Sequence, residues 1–597
     1  MDDDLADGDP ILEVIDAANE SSELRVTTVG SLSIERLFGE MVEETFAKGE
    51  LIGILAAMVI MLGVFGAVVA ALIPLLLAIV AIFAAVGVIA AISMMWSLSE
   101  FTMIVTTMMG LAVGIDYSLF IVQRFREERD GGLERFEAIA KAGATASRTV
   151  LFSGIAVAIA LGGMLLMPDA LFQSFGIGAI SVVIMAVLAA LTLLPALLGL
   201  LGDRVNWLTI PILGRRRSAD SSAGFWGMIT GWVTARPLIS AVLSGALLIA
   251  LTAPVMTMTL GNGGLSMIPE DVDERHAFDI VIGKFSDGII TADIVVLAPN
   301  VSAIAVQQAV EDLTASLDGD DFFGNPQSLV NAGGDMVHIS VSVAGDMSAP
   351  ESIDGIGRLR DDYIPTAFAG VSNSEVLVGG DTASIIDGVE VVKQYVPLIM
   401  AAVLAASFLL LMIAFRSIVV PLKAVVMNLL SVGAAYGMVV LFFQEDWGNR
   451  IFGFQQVVVI EMWIPLFLFT ILFGLSMDYH VFLLSHIKER YDETGDNSGS
   501  VVYGLHTTAS IITGAALIMV AVFGGFALGP LAMFQEMGFG LAVAVILDAT
   551  IVRMVLVPAS MELLGDRNWY FPSWLEWLPE ISIEGEVAAT STADPAS

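Results

Sequence analysis

Two similar stretches stand 362 positions apart, Gly-Ile-Asp-Tyr-Ser-Leu-Phe-Ile-Val-Gln at 114–123 and Ser-Met-Asp-Tyr-His-Val-Phe-Leu-Leu-Ser at 476–485. Each places an aspartate followed by a tyrosine inside an apolar segment of helical length. A carboxylate at membrane depth costs roughly 2.5–3.5 kcal/mol on insertion scales, so such residues are rarely incidental. Two of them at matching points of one chain favour a proton relay and ion-driven transport. The predicted relay residues are Asp116, Tyr117, Asp478 and Tyr479.

The composition is that of a membrane protein. The chain has 597 residues, of which 56% are hydrophobic, and a mean hydropathy of +0.83. These values are typical of proteins with many membrane helices. The sequence has no cysteine, which excludes disulfides and thiolate metal sites.

The charge is strongly acidic, with 63 Asp and Glu residues against 26 Lys and Arg. Acidic surfaces of this kind occur in salt-adapted proteins, and we interpret them as a sign of a salt-rich cytoplasm, as in haloarchaea. The alternative is an ordinary acidic domain outside the cell. Nucleic acid is excluded as a partner, because no basic stripe is present to neutralise phosphates.

Eleven apolar segments are long enough to cross a bilayer, which takes about 20 residues. Arg and Lys cluster in the connections at 124–148, 204–217, 416–423 and 488–490, and the positive-inside rule makes these connections cytoplasmic. We expect the plasma membrane as location, residues 1–50 and the soluble segment outside, and the C-terminus inside. The predicted spans are 51–71, 74–96, 101–125, 147–167, 172–201, 237–258, 395–415, 420–443, 461–486, 507–528 and 532–561.

The segment 259–394 has the pattern of a soluble α/β domain. Strand-like runs at 289–297, 335–343 and 374–378 alternate with amphipathic helical stretches. Such alternation in about 130 residues is typical of a ferredoxin-like sandwich. The helical stretches are 271–284, 302–317, 351–363 and 381–393.

The chain repeats itself in parallel order. Leu-Leu-Gly-Asp-Arg, for instance, occurs at 200–204 and again at 563–567. The first half has only five helices, and its acidic start has no signal-peptide pattern. We therefore expect one helix and most of one outer domain to be missing; the alternative is a genuine eleven-helix variant. The predicted divisions are 1–50 (remnant of a first outer domain), 51–201 (five helices), 202–236 (cytoplasmic linker), 237–258 (first helix of the second half), 259–394 (outer α/β domain), 395–561 (five helices) and 562–597 (acidic cytoplasmic tail).

Other polar residues are candidates for accessory roles. Asp548 could belong to the proton path or pair with Arg553, five residues on. His480 follows the second Asp-Tyr pair and could join the relay, although the first half has serine there. Arg148 is either a snorkelling anchor at the membrane edge or part of the coupling. Glu461 is expected at the membrane interface.

Small residues before each relay aspartate predict close helix packing. We expect Gly110, Gly114 and Gly474 to bring the two relay helices together near the carboxylates. The sequence has no phosphate-binding loop, no nucleophile elbow and no histidine spacing suited to a metal. We therefore expect no cofactor, no metal and no enzymatic activity.

The relay stretches and two further motifs resemble the MMPL family, in the resistance–nodulation–division superfamily of exporters. The resemblance covers essentially the whole chain. It implies twelve helices in two halves, ferredoxin-like porter domains outside the membrane, and a proton relay through Asp-Tyr pairs on the fourth and tenth helices. The residues that carry it are 114–128 (Gly-Ile-Asp-Tyr to Arg-Glu-Glu), 148–154 (Arg-Thr-Val-Leu-Phe-Ser-Gly), 267–271 (Met-Ile-Pro-Glu-Asp) and 477–485 (Met-Asp-Tyr-His to Leu-Leu-Ser).

Family members export lipids, lipid precursors, hydrophobic drugs or pigments. The resemblance thus implies export of hydrophobic or amphiphilic molecules driven by the proton-motive force, with the bilayer, the substrate and protons as partners. The partner predictions also include a homo-oligomer or a separate chain that supplies the missing helix. The alternatives are a protein-export factor like SecD/SecF, a sterol-sensing-like scaffold that transports nothing, and an inactive remnant.

Overall fold

The structure is a computed structural model that describes residues 11, 14–15, 17–19, 26–28, 30–209, 225–269, 272–284 and 290–578. Parts of the predicted first domain, linker and tail therefore lie outside the described residues. Within the described residues, eleven helices are long and apolar enough to cross a membrane, which confirms the predicted number. The helices up to the sheet domain are α1 (Ser31–Phe65), α2 (Val68–Ser93), α3 (Thr102–Asp130), α4 (Arg135–Gly162), α5 (Ala170–Leu191), α6 (Leu193–Leu201), α7 (Phe225–Ala235) and α8 (Pro237–Thr252).

The second part of the chain contains the sheet domain and the remaining helices. A π-helical stretch, Asp548–Leu556, continues α18. The elements are β1 (Leu260–Gly261), α9 (Asp273–Lys284), β2 (Thr291–Leu297), α10 (Ile304–Asp318), β3 (Phe323–Val330), β4 (Met336–Val343), α11 (Pro350–Arg358), α12 (Ile364–Ala367), β5 (Glu375–Gly380), α13 (Asp381–Phe415), α14 (Val419–Val439), α15 (Trp447–Phe452), β6 (Ile460–Glu461), α16 (Ile464–Thr494), α17 (Asn497–Phe526), α18 (Ala532–Leu547) and α19 (Val557–Leu564).

The sheet domain has the predicted ferredoxin-like topology. Its four strands lie in the order β3-β4-β2-β5, and all neighbours are antiparallel. Along β2 and β4 buried and partly exposed side chains alternate, because successive residues of a strand point to opposite faces. Leu313 and Leu317 of α10 and Ile356 of α11 belong to the core that covers the buried face. We call the end of the bundle that carries this domain the domain end, and the other the loop end.

Two helices form the centre of the bundle. In α3 and α16, 94% of the most apolar stretch is buried by other helices, against 28% in α1. A membrane helix that is enclosed by protein can hold polar groups that lipid would not tolerate. The two helices with the Asp-Tyr pairs are thus the two that the fold shields best.

The three glycines lie at close helix contacts, but the predicted partner was wrong. A Cβ on Gly114 would lie 2.9 Å from the Cα of Ala78 in α2, and one on Gly110 would overlap Ile82 of α2. A Cβ on Gly474 would meet Val157 of α4. The glycines therefore let α3 pack closely against α2, and α16 against α4. A small residue allows close approach of any neighbouring helix, not of one particular helix.

The repeated Leu-Leu-Gly-Asp-Arg motif forms the same turn at the loop end of each half. Gly202 and Gly565 have φ of 52° and 54°, a left-handed conformation that glycine adopts without strain. Asp203, after the first turn, pairs with Arg129 near the end of α3. Asp566, after the second, accepts a hydrogen bond of 3.1 Å from the hydroxyl of Tyr491 near the end of α16. Each turn thus holds the loop end of one central helix.

We expect Gly114→Ala to destabilise the protein, because the added methyl group meets backbone that cannot move aside. Overpacking of this kind typically costs about 1–3 kcal/mol, which thermal unfolding in detergent would register as a lower midpoint. Gly87→Ala, on α2, is the matched control, since a methyl group added there would have no described atom within 4 Å. Equal midpoints for the two variants would contradict the close contact of α3 with α2.

Candidate functional site

The two relay aspartates lie at the middle of the two central helices. Asp116 is 14 residues from either end of α3, and Asp478 is 14 residues from the start of α16. Both side chains are buried, as are Tyr117 and Tyr479. The chain duplication therefore places two carboxyl groups at the same depth in the interior of the bundle.

The pairs face each other across the two halves. Asp116 faces Asp478 and Tyr479, and Tyr117 faces Asp478. The two helices meet through side chains here, with the ring of Phe120 4.4 Å from that of Phe482 and 6.2 Å from that of Tyr479. Each aspartate thus has the tyrosine of the other half beside it.

Ser153 of α4 is a member of the site that the sequence reasoning missed. Its hydroxyl donates to the hydroxyl oxygen of Tyr117 at 3.4 Å, and it also faces Asp478. Ser153 belongs to the stretch 148–154, so the motif was seen but its serine was not recognised as functional. The corresponding position in the other half is Ala515, so the internal repeat does not mark Ser153.

The carboxylate of Asp116 is poorly satisfied. Among the described residues, neither of its oxygens has a hydrogen bond of good geometry, and the same holds for Oδ2 of Asp478. The hydroxyl of Tyr479 lies near Asp116 and also contacts the sulfur of Met519 at 3.7 Å. Buried polar groups are nearly always hydrogen-bonded, and a buried ion without a partner is expensive. Such a position suits a group that takes up a proton or binds a water molecule.

Asp548 belongs to a separate network in which both of its carboxylate oxygens accept hydrogen bonds. Its Oδ2 accepts from Nε of Arg553 at 2.8 Å, and its Oδ1 accepts from the Ser476 hydroxyl at 2.9 Å. The same hydroxyl also lies 2.7 Å from Oδ1 of Asn428. A π-helix joins residues five apart, which brings Asp548 and Arg553 to one face. The sequence left two roles open for Asp548, a place in the proton path and a pairing with Arg553. The structure shows the pairing.

The network touches the relay through an aromatic ring. The guanidinium of Arg553 lies 4.7 Å from the ring centre of Tyr479, a distance at which a cation and an aromatic face attract. A cavity of about 20 Å³ between Tyr479, Asn428 and Asp548 has room for one water molecule.

His480 and Arg148 differ in their relation to the site. His480 is buried beside Ser476, whose carbonyl oxygen lies 3.3 Å from its Nδ1. Arg148 is exposed on α4, and the structure does not bring it into the site. Among the described residues, no three His, Asp or Glu side chains converge as a metal site would require.

A cavity of about 430 Å³ leads from the loop end to Asp478. At its outer rim lie the charged and partly exposed side chains of Arg124, Glu127 and Lys141. Deeper, it is lined by Phe120, Phe482, Val150 and Ile511. The volume is large enough for several water molecules, so water from the loop end can approach one of the two relay carboxyls.

A family model described as "MMPL family" matches residues 2–240 and 276–577. The chain belongs to the MMPL family. The match includes both Asp-Tyr pairs, Ser153 and the Asp548–Arg553 pair, and the fold is that of a multi-pass membrane protein with eleven spans in its described part.

Named relatives are transport proteins. The "Mycolic acid-containing lipids exporter MmpL11" of Mycolicibacterium smegmatis is 32% identical over 96% of this chain and 61% of its own. The "Heme uptake protein MmpL11" of Mycobacterium tuberculosis is 32% identical over 96% and 59%. The chain thus spans about three fifths of these relatives. A crystal structure of SecDF, 16% identical, covers 88% of this chain and 62% of that chain with a TM-score of 0.52, a likeness of fold alone.

We expect Arg553→Met to destabilise the protein, because Asp548 would keep a buried charge without its counter-ion. Removing one partner of a buried ion pair typically costs about 3–5 kcal/mol, whereas replacing both by apolar residues is often neutral. Arg553→Met combined with Asp548→Leu should therefore recover most of the lost thermal stability. The control is Arg450→Met, which removes an exposed pair with Asp446 and should cost less than about 1 kcal/mol. A double variant less stable than Arg553→Met alone would contradict the pairing.

Proposed function

We propose that this protein uses the proton-motive force to export hydrophobic or amphiphilic molecules, such as lipids, across the plasma membrane. The observation that carries the proposal is the position of Asp116 and Asp478 at the centre of the bundle, buried and incompletely hydrogen-bonded. The names of two relatives, a lipid exporter and a heme uptake protein, support an amphiphilic cargo. The sheet domain would lie outside the cell and the loop end inside, as the positive-inside pattern predicts.

In this proposal the aspartates exchange protons. Two carboxyls that face each other in a buried site do not readily both ionise, so they titrate as one coupled unit. Tyr117, Tyr479 and Ser153 offer hydroxyl groups through which a proton can pass from one half to the other. The cavity below Asp478 supplies the route to the loop side. Each elementary charge that crosses 100 mV releases about 2.3 kcal/mol, which is available to move helices.

The gain or loss of a proton would change which packing of α3 and α16 is favoured. With a proton bound, the two carboxyls can sit close together; with both ionised, they repel. The backbones of α3 and α16 are packed closely against α2 and α4. A change in packing between α3 and α16 would therefore move Phe120 relative to Tyr479 and Phe482. This movement would be passed along α16 to the sheet domain.

The SecDF-like alternative is less well supported. Its basis is a likeness of fold, whereas the family match and the two Asp-Tyr pairs point to MMPL transport. The scaffold alternative accounts for the ion pair of Asp548 with Arg553, but gives no reason for two central carboxyls that have no cation paired with them.

Asp116→Asn and Asp478→Asn should each abolish coupled transport, because an amide cannot bind and release a proton. The measurement is lipid-dependent proton flux into liposomes that contain the purified protein and a pH-sensitive dye. We expect the flux to fall to that of protein-free liposomes, with thermal stability unchanged. Asp492→Asn, an exposed carboxylate on the same helix as Asp478, is the control. Full flux in either relay variant would refute the relay.

Ala146→Trp tests the cavity as the proton route. Ala146 lines the cavity on α4, so an indole there would exclude water from Asp478 without altering the carboxyl. We expect proton flux to fall by about tenfold or more, which is a barrier increase of about 1.4 kcal/mol. Ile155→Trp, on the lipid-exposed side of the same helix, should have no such effect. If both variants transport at the unsubstituted rate, protons reach Asp478 by another route.

A further inference from the structure

Two glutamates meet at the domain end, where α16 and α18 begin. Glu461 lies in β6, three residues before α16, and Glu536 in the second turn of α18. Their exposed fractions are 4% and 1%, so both side chains are enclosed by protein. The backbone N–H of Glu461 donates to Oε2 of Glu536 at 3.3 Å. Neither residue has a part in the proposed relay.

Glu461 also holds the linker between α8 and the sheet domain. In this linker β1 pairs in parallel with β6, and the N–H of Gly263 donates to Oε1 of Glu461 at 2.6 Å. The carbonyl oxygen of the preceding Asn262 accepts a hydrogen bond from the hydroxyl of Ser348, just before α11 of the sheet domain. A short series of contacts thus runs from Glu536 through Glu461 and the linker to the sheet domain.

In the described part of the chain, no positive charge compensates the two glutamates. Among the described residues, the only charged group that acts on Glu536 from a neighbouring element is Glu461. Glu461 is bordered by the N–H of Gly263 and by Trp463, which are uncharged. Burial raises the pKa of Glu461 to about 7, although the hydrogen bonds from Gly263 and Trp463 act in the opposite direction. Burial and the neighbouring carboxyl therefore both favour a state in which at least one of the two glutamates carries a proton.

We propose that Glu461 and Glu536 form a protonation switch, in which a bound proton holds the linker and the sheet domain against the bundle and its loss releases them. When both carboxyls are ionised, their repulsion is relieved only if β6 and its partner β1 move away from α18. In the released form Glu461 is hydrated, with a pKa near its ordinary value of about 4.3. The ratio of held to released molecules therefore falls as the pH rises from about 4.3 to about 7.

The switch can be tested without transport, by a distance. Because the sequence has no cysteine, Asp354→Cys in the sheet domain and Leu528→Cys beside α18 give two unique sites, both exposed. Spin labels on these sites in lipid nanodiscs would be measured by pulsed electron resonance at pH 5 and pH 8. We expect a larger population of long distances at pH 8.

Glu461→Gln should remove the pH dependence, because the amide stays neutral at both pH values. Glu536→Gln removes the other half of the pair and should do the same, which covers the case that one variant does not fold. Glu445→Gln, an exposed glutamate at the same end, should leave the change intact. Equal distances at pH 5 and pH 8 in the labelled parent, or an unaltered change in both pair variants, would overturn the switch. Loss of transport in the relay variants has no bearing on this result.

Discussion

The cost of burying charge governs this structure. The centre of the helix bundle is enclosed by protein, and a charge there must find a partner, reach water or give up its ionisation. The chain meets this constraint in two ways. Asp548 is neutralised by Arg553 and bonded to Ser476, so its charge is fixed in place. Asp116, at a similar level of burial, faces Asp478 and the hydroxyl of Tyr479, and neither of its oxygens has a hydrogen bond of good geometry in the described part of the chain. The first arrangement is that of a structural ion pair, and the second is the one on which the proposed relay rests.

The two halves are duplicated in sequence but not in chemistry. The positions that match Asp548 and Arg553 in the first half are Met185 and Ala190, and Ser153 corresponds to Ala515. Asp478 consequently has a serine and a water-accessible cavity beside it, whereas Asp116 faces a tyrosine that lies under a guanidinium. The surroundings of the two carboxyls are therefore inequivalent.

The sequence predicted the membrane helices because apolar length is a direct consequence of bilayer thickness. It did not predict their ends. α1, α4 and α17 each begin 10 to 20 residues before the apolar segment, since a polar helix can continue beyond the bilayer at little cost. The strand β3 was missed because it is an irregular edge strand: its sequence contains Pro326, and the register shifts between Gly324 and Gln327. Proline lacks a ladder donor and is tolerated at such a place.

The composition of the site was predictable only in part, for a related reason. The Asp-Tyr pairs stand out because charge inside an apolar run is rare. Ser153 does not, since serine is common in membrane helices and its significance arises from contact with residues on two other helices. The glycine contacts were assigned to the wrong helices because a glycine indicates that some backbone comes close, but not which one. Glu461 and Glu536 are 75 positions apart, and no local pattern indicates that they meet.

The two ends of α16 are attached in different ways. The helix has 31 residues and so is about 46 Å long, stiff enough to pass a displacement from its middle to its ends. At the loop end, Tyr491 stacks on Trp569 with ring centres 5.5 Å apart and also bonds Asp566. At the domain end, the helix is preceded by the two-residue strand β6, which pairs with β1. Within β6, Glu461 accepts a hydrogen bond from the N–H of Gly263 and donates its own N–H to Glu536. In the proposed mechanism, motion that starts at the relay would reach the sheet domain through Glu461 and the pairing of β6 with β1.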